Sequence, residues 1–283
     1  MLRDALRYIA VSSLAALYDA TGQMEGLKQP HIQFLYLHDV AEEEQDCFRT
    51  LLKRLSVTHH FLNYSAAGEK VFSGDIDRPY IALSFDDGFK SCTDIARILN
   101  ELDITACFFV CPSVVGEANE ERLTEFCANR LHMPPTAFLS WDDVELLLRQ
   151  GHEIGSHTMF HYNLSLLSEQ RVRDDVGGSF DSLTQRVGAV KHFAWPYGRF
   201  SHFSALAARA VFDAGFVSCA SAERGCHVDS RPALSFERCI RRDKVIAGWP
   251  MSHIRYFMAN NYNTAALHHG GWPSGWLEVI QGK

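Results

Sequence analysis

Short apolar segments alternate with helical periods along most of the chain, and this alternation constrains the fold more than any other feature. Strands are predicted over residues 32–37, 80–85, 104–110, 153–156, 190–195, 216–219 and 234–240. The helices between them have readable ends, such as the Ser140 and Asp143 capping pair before a helix that stops at Gly151. Strands that alternate with helices pair in parallel through right-handed crossovers. We therefore predict an α/β fold, an incomplete (β/α) barrel of about seven parallel strands.

Length and charge limit the functional classes. The chain has 283 residues, enough for one large α/β domain whose core needs no disulfide bonds. Its 27 basic and 34 acidic residues give a net charge of −7, so it lacks the basic surplus typical of nucleic-acid binders. No apolar run is long enough to span a membrane. The eight cysteines show no CxxC spacing, and we expect free, mostly buried thiols.

The first 30 residues are predicted to form a helical extension, followed by one domain over residues 31–283. Leu2, Leu6, Ile9 and Leu17 recur at helical spacing. This stripe is expected to pack on the domain; the alternative is a weak contact of residues 2–17 with a lipid surface. The apolar stretch is too weak for a signal peptide, and a cytoplasmic location is expected.

Polar side chains cluster where the predicted strands end. Because the carboxyl ends of parallel strands meet at one end of a barrel, these residues are expected to converge there. They are His38 and Asp39, Asp86 and Asp87, His157 and His161, the Pro196-Tyr197-Gly198 turn, and Arg238. A scatter without function would divide such residues between the two ends of the barrel.

Two of these groups together offer metal ligands. His157 and His161 have i,i+4 spacing, which places both imidazoles on one side of a helical turn, although isolated pairs of this kind are mostly solvated or core histidines. Asp86-Asp87-Gly88 alone most often marks a turn cap. Two imidazoles and one carboxylate at one barrel end nevertheless form a ligand set that leaves positions open for water and substrate.

The motifs resemble those of the polysaccharide deacetylase family, the NodB-homology or carbohydrate esterase family 4 domain. Ser84-Phe-Asp-Asp-Gly88 and Gly151-His-Glu-Ile-Gly-Ser-His-Thr-Met-Phe-His161 carry the likeness. Leu164, Leu167 and the segment from Phe193 to Gly198 extend it, over roughly residues 31–245. The resemblance implies a distorted, incomplete barrel in which Asp87, His157 and His161 bind one divalent metal, most often Zn²⁺. It also implies Asp86 as the general base and the backbone N–H of Tyr197 as an oxyanion donor.

Two departures from the family pattern leave roles open. The family arginine that pairs with the catalytic aspartate is missing before Pro196, and Arg238 is the candidate replacement. The family's late Leu-x-Leu-x-His strand has only a poor match before His268 and His269. Leu35-Tyr-Leu37-His38 matches it better, as in circularly permuted members, so His38 is the preferred general acid.

The resemblance implies a metal-dependent hydrolase that removes N-acetyl groups from an amino sugar in a glycan, glycolipid or nucleotide-linked form. Trp141 and Arg199 are candidate substrate contacts, and residues 113–137 form a long segment expected to line the site. O-acetyl esterase activity and hydrolysis of another small amide remain alternatives, as does an inactive carbohydrate-binding homologue. An iron(II) oxygenase is disfavoured because its usual setting is an all-β barrel.

Overall fold

A computed structural model describes residues 2–228, 231–265 and 271–282 of the chain. Its helices are α1 (Leu2–Ala20), α2 (Gln45–Leu55), α3 (Tyr64–Ser73), α4 (Cys92–Asn100), α5 (Glu120–Phe126), α6 (Trp141–Arg149), α7 (Glu169–Val187), α8 (Ala205–Ala214), α9 (Met251–Thr264) and α10 (Trp276–Ile280). Its strands are β1 (His31–Leu37), β2 (His60–Leu62), β3 (Pro79–Phe85), β4 (Ala106–Val110), β5 (Glu153–Ser156), β6 (His192–Ala194), β7 (Ser218–Ala220), β8 (Cys239–Ile240) and β9 (Arg242–Lys244).

The nine strands of the described residues form one parallel sheet. Its order is β8-β7-β6-β5-β4-β3-β1-β9, and β2 pairs with the first half of β3. Strands β8 and β9 are separated only by Arg241, yet β8 pairs with β7 and β9 pairs with β1. The segment 239–244 therefore bridges the two edges of the sheet and closes it into a nearly complete, distorted barrel, in agreement with the predicted fold class.

The strand predictions hold for six of the seven segments, with shifted ends. The seventh, over residues 234–240, begins too early, because residues 235–237 form a 3₁₀ turn and pairing starts only at Cys239. The sequence also gave no sign of β2, which has three residues, or of β9, whose sequence Arg-Asp-Lys is fully charged. The capping box of Ser140 and Asp143 is present at the start of α6.

The barrel interior is apolar at the amino-terminal end of the strands. Helix α3 closes this end, because Tyr64, Ala67, Val71 and Phe72 pack against inward-facing residues of the strands. The strands also supply aromatic rings, and Tyr64 makes edge contacts with Phe34 and Phe109. His192, at the start of β6, is a buried polar exception at this end, with its Nε2 2.9 Å from Ser65 Oγ and its Nδ1 2.8 Å from Ser218 Oγ.

Helix α1 packs on α9 through polar and aromatic contacts, not through the predicted apolar stripe. Ser12 Oγ lies 2.8 Å from His253 Nε2, and the Tyr18 hydroxyl donates to Asn260 Oδ1 at 2.9 Å. Leu6, Ile9 and Leu17 are 53–61% exposed, so the expectation that this stripe packs on the domain is wrong. The weak lipid-surface contact of residues 2–17 stays a prediction. No helix in the described part of the chain is long and apolar enough to cross a bilayer.

The cysteines match the sequence expectation. All eight thiols are free, and only Cys47 is exposed. Burial raises the pKa of the Cys239 thiol to about 12, and it raises the pKa of the Cys107 and Cys219 thiols well above the ordinary value. Because the thiolate is the reactive form, these buried cysteines are packing groups rather than nucleophiles.

Asp243 on β9 gives a testable pH dependence of stability. Burial raises its pKa to about 7, although Arg224 at 3.2 Å and Asn261 oppose this shift. Between the ordinary value of 3.8 and about 7 the folded state binds more protons than the unfolded state, so stability from this group is lost as pH rises through that window. We expect the free energy of unfolding of Asp243→Asn, measured relative to that of wild type, to rise by on the order of 1–3 kcal/mol from pH 4 to pH 8. Urea unfolding at both pH values measures this, and a difference that is independent of pH would contradict it.

Candidate active site

The carboxyl ends of the strands surround a cavity of about 370 Å³. Loops after β1, β3, β5, β6 and β7 contribute to it, and so does the long segment between β4 and α6. Its walls contain Tyr36, His38, Asp39, Asp86, Asp87, Phe89, Arg130, Leu131, Met133, His157, His161, Trp195, Tyr197, Gly198 and Ala222. The convergence predicted from strand ends is therefore confirmed for every group except Arg238.

Three buried side chains in this cavity form a cluster that could hold a metal ion, called here the metal-ligand cluster. One donor atom each from Asp87, His157 and His161 lies within 4.8 Å of the other two. Asp87 Oδ1 is 3.4 Å from His157 Nε2 and 3.2 Å from His161 Nε2. All three residues are at most 6% exposed, so bulk water cannot readily hydrogen-bond to their polar atoms.

The hydrogen-bond pattern of this cluster fits a bound cation. His157 Nδ1 lies 2.8 Å from the carbonyl oxygen of Ala194 and donates to it, so in the neutral imidazole Nε2 carries a lone pair. That lone pair faces Asp87 Oδ1, a buried atom with no hydrogen-bond donor among the described residues. Two lone pairs that face each other in a dry site repel unless a proton or a metal lies between them.

Asp86 faces a different partner from its neighbour Asp87. Arg242, which is fully buried inside the barrel, donates from Nη1 to Asp86 Oδ1 at 2.7 Å and from Nη2 to Oδ2 at 2.9 Å. Burial alone would raise the pKa of Asp86, but the Arg242 charge outweighs it and holds the pKa below its ordinary value. Asp86 is consequently an ionised carboxylate at neutral pH.

Arg242, not Arg238, is the partner of the aspartate, and this corrects the sequence prediction. The Arg242 guanidinium lies against the rings of Tyr36 and Phe109 and also donates to Ser84 Oγ at 3.0 Å. Arg238 lies before β8, at the other end of the barrel, and its guanidinium carbon is 5.0 Å from the Phe72 ring centroid. The error arose because the last strand was placed too early, and Arg242 pairs in register with Phe34 on the missed strand β9.

Backbone strain is concentrated around the cavity. Asp87, Thr158, His161 and Tyr197 have φ between 53° and 75°, a region that non-glycine residues rarely adopt. At Gly198 the close approach of the chain requires glycine, because a Cβ there would lie 2.2 Å from the Ala222 Cβ. No acceptor among the described residues takes the backbone N–H of Tyr197, so this donor is available to a ligand.

His38 lies in the cavity, as predicted, but without a carboxylate partner. Its Nδ1 is buried and has no hydrogen-bond partner in the described part of the chain, and Asp39 accepts instead from the backbone N–H of Val40 at 2.7 Å. Burial lowers the pKa of His38, while the charges of Asp87 and Asp86 act in the opposite direction. The alternative acids His268 and His269 lie outside the described residues.

The two predicted substrate contacts lie outside the cavity wall. Trp141 packs beside Gly116, and the guanidinium of Arg186 covers its ring. Arg199 forms an ion pair with Glu223 at 2.9 Å. Trp141 was inferred from its residue type and Arg199 from its charge and its place after the Pro196-Tyr197-Gly198 turn, and neither says in which direction a side chain points.

The segment 113–137 lines the site as expected and supplies contacts that the sequence did not reveal. The carbonyl oxygen of Arg130 accepts the Tyr197 hydroxyl at 2.8 Å, and the ring of Phe126 contacts that of His161. Outside this segment, the Asp175 carboxylate on α7 accepts from the backbone N–H of Met159, which lies between His157 and His161, at 3.1 Å. For the Arg130 and Phe126 contacts the only sequence signal was the unusual length of the segment between β4 and α6, and the Asp175 contact had none.

Comparison with known families agrees with the predicted resemblance. A family model described as polysaccharide deacetylase matches residues 73–215, a region that contains Asp86, Asp87, His157 and His161. A peptidoglycan-N-acetylglucosamine deacetylase from Bacillus cereus is 28% identical over 130 residues, which cover 45% of this chain and 39% of that protein. The chain therefore matches well under half of the length of this relative.

Solved structures with a similar fold cover most of the chain. IcaB from Ammonifex degensii superposes with a TM-score of 0.66 at 20% identity, covering 83% of this chain and 98% of its own. The Streptococcus pyogenes deacetylase PplD, solved in complex with acetate, gives a TM-score of 0.62 at 16% identity and covers 82% and 98%. At these identities the likeness establishes the fold, while the chemistry has to be argued from the residues.

Proposed function

The chain belongs to the polysaccharide deacetylase family, and on this premise we propose that it is a metal-dependent hydrolase that removes the N-acetyl group from an amino sugar. The sugar is part of a glycan, a glycolipid or a nucleotide-linked form. The observation that carries the proposal is the meeting of the Asp87–His157–His161 cluster with the Asp86–Arg242 pair in one cavity. A binding protein that had lost turnover would have no use for a buried, ionised carboxylate beside a metal-ligand set.

Asp87, His157 and His161 would hold the metal, and their nitrogen and oxygen donors suit Zn²⁺. When bound, such a cation would lower the pKa of water in the cavity and polarise the acetyl carbonyl. The backbone carbonyl of Ala194 keeps the proton of His157 on Nδ1, so Nε2 stays available as a ligand. The strained backbone at Asp87 and His161 aims both ligands into the same space.

Asp86 would accept the proton of the attacking water. Arg242 occupies one lone pair on each carboxylate oxygen, and a second lone pair on each remains for a proton. Since Arg242 is held inside the barrel by Ser84 Oγ and the Ser221 carbonyl, it also fixes the orientation of the carboxylate. A positioned general base of this kind contributes about 10²–10⁴-fold to the rate.

Tyr197 and His38 would stabilise the two charges that develop later in the reaction. The free backbone N–H of Tyr197 would donate to the oxyanion of the tetrahedral intermediate, an interaction worth about 3 kcal/mol. His38 would deliver a proton to the departing amine. Because burial lowers its pKa, the imidazolium form is scarce at neutral pH but donates its proton readily.

The presence of His38 favours an amide over an ester substrate. An amine must be protonated as it leaves, whereas an alkoxide departs with less assistance. Cleavage of an O-acetyl ester passes through the same oxyanion and remains the second outcome of the test.

Acetate release measured with purified protein tests this function. Wild type reconstituted with Zn²⁺ is expected to release acetate from N-acetylglucosamine oligomers, to lose this activity on chelation, and to regain it when Zn²⁺ is returned. O-acetylated oligomers, assayed in parallel, distinguish an esterase. Turnover that persists in the chelated protein would contradict the metal-dependent proposal, and release from the O-acetylated substrate alone would replace the N-deacetylase by the esterase.

A further inference from the structure

The two histidines of the metal-ligand cluster lie on one short segment, residues 157–161, called here the ligand turn. It forms neither a helix nor a strand. Thr158 and His161 have φ of 66° and 53°, and the backbone N–H of His161 donates to Thr158 Oγ1 at 2.9 Å. Backbone conformations of this kind persist only where the surrounding structure holds them. The positions of the two imidazoles therefore depend on what the ligand turn contacts.

The end of β4 and the residues after it hold one side of the ligand turn. The backbone N–H of His157 donates to the carbonyl of Val110 at 2.8 Å, and Cys111 Sγ donates to the carbonyl of His157 at 3.0 Å. The backbone N–H of Ser113 donates to the carbonyl of Met159 at 3.3 Å. These contacts leave the backbone N–H of Met159, in the middle of the turn, to find an acceptor elsewhere.

Asp175 on α7 is that acceptor. Its Oδ1 accepts from the backbone N–H of Met159 at 3.1 Å, and the residue is only 5% exposed. Burial raises the pKa of Asp175 to about 6, while the backbone N–H groups of Met159 and Phe160 oppose this shift. Asp175 does not line the catalytic cavity, so it reaches the ligand turn from behind.

The carboxylate of Asp175 is a costly way to fill this position. Its Oδ2 is buried and has no hydrogen-bond partner among the described residues. An apolar side chain of similar size would avoid the cost of burying that oxygen. Helix α7 also contacts β5 without Asp175, because the hydroxyl groups of Ser156 and Ser179 lie 2.8 Å apart. What the carboxylate adds to this packing is an acceptor for the Met159 N–H.

We propose that Asp175 is a positioning residue, which raises the affinity of the metal-ligand cluster for zinc by holding the ligand turn in place. The inference rests on the proposed function, because it concerns the same metal site. Without an acceptor, the buried N–H of Met159 would have to turn towards another group, and His157 and His161 would no longer be held at one point. Groups that orient metal ligands in this way contribute about 10–100-fold to metal affinity.

Zinc affinity of the purified protein, measured by competition with a chelator of known affinity, tests this role. Asp175→Asn and Asp175→Leu both remove the charge and have nearly the same branched shape, but only asparagine keeps an acceptor oxygen. We expect Asp175→Leu to bind zinc about 10–100-fold more weakly than wild type, and Asp175→Asn to bind it nearly as tightly as wild type. Asp174→Leu removes an exposed carboxylate from the preceding position of α7 and is the matched control, with wild-type affinity expected.

Urea unfolding of the zinc-free proteins shows which variants fold, and Asp175→Ala takes the place of Asp175→Leu if the latter does not. Equal losses of affinity in Asp175→Asn and Asp175→Leu would overturn the positioning role, because the charge and not the acceptor would then matter. Wild-type affinity in Asp175→Leu would overturn it as well, while zinc binding and acetate release by wild type left the proposed function intact. A wild type that binds no zinc would overturn both the positioning role and the metal-dependent function.

Discussion

Acetate release by Asp86→Asn is expected to fall by about 10²–10⁴-fold while the protein keeps its metal. The amide cannot accept the proton of the attacking water, but Asp86 is not among the three clustered ligands, so metal affinity should be preserved. The measurement is kcat for acetate release together with metal content by atomic emission spectroscopy.

Asp243→Asn is the matched control for this change. It also replaces a buried aspartate that faces an arginine, but Asp243 does not line the catalytic cavity. Near-normal turnover in Asp243→Asn with strongly reduced turnover in Asp86→Asn is the expected pair of results. An Asp86→Asn variant with wild-type kcat would remove Asp86 from the mechanism.

Replacement of Arg242 by methionine is expected to destabilise the fold by about 3–5 kcal/mol, because it leaves the buried carboxylate of Asp86 unpaired. Arg242 is 0% exposed and forms both hydrogen bonds to this carboxylate, so water cannot take its place. The pKa of Asp86 should rise as well, and the activity that remains should shift to higher pH. Urea unfolding and a pH–rate profile measure the two effects.

Arg238→Met is the matched control, because it removes an arginine that does not pair with Asp86. Arg238 has no carboxylate partner in the described part of the chain and lies against Phe72 at the far end of the barrel. Its replacement should therefore cost much less stability and leave the pH profile unchanged. Equal destabilisation by the two replacements would contradict the assignment of Arg242 as the partner of Asp86.

The meeting of an aspartate with two histidines could be predicted from the sequence because it depends only on local rules. Strand alternation places the Asp86-Asp87 pair at the end of β3 and the histidines after β5, and parallel pairing brings those ends together, while the choice of Asp87 as the ligand came from the family resemblance. Likewise, the fold class follows from the alternation of strands and helices. Neither inference needs the direction of an individual side chain.

The aspartate's partner and the contacts of α1 could not be predicted in this way. Strand β9 has no apolar residue by which a strand could be recognised, because its sequence is Arg-Asp-Lys. The register of this strand decides which of Arg238, Arg241 and Arg242 enters the barrel. For α1, the apolar period predicts an amphipathic helix but does not say which face of the helix packs on the domain. The packing face is set by polar contacts of Ser12 and Tyr18 with α9. The walls contributed by residues 113–137 depend on tertiary packing alone.

The most direct test of the proposed metal site is an anomalous-scattering map from crystals grown with Zn²⁺. We expect one strong peak about 2.0–2.2 Å from a ligand atom of each of Asp87, His157 and His161, with Asp86 outside the coordination shell. The peak should disappear in His157→Ala crystals grown under the same conditions. A zinc ion bound elsewhere, or the absence of a peak among these three side chains at saturating Zn²⁺, would contradict the metal-dependent site.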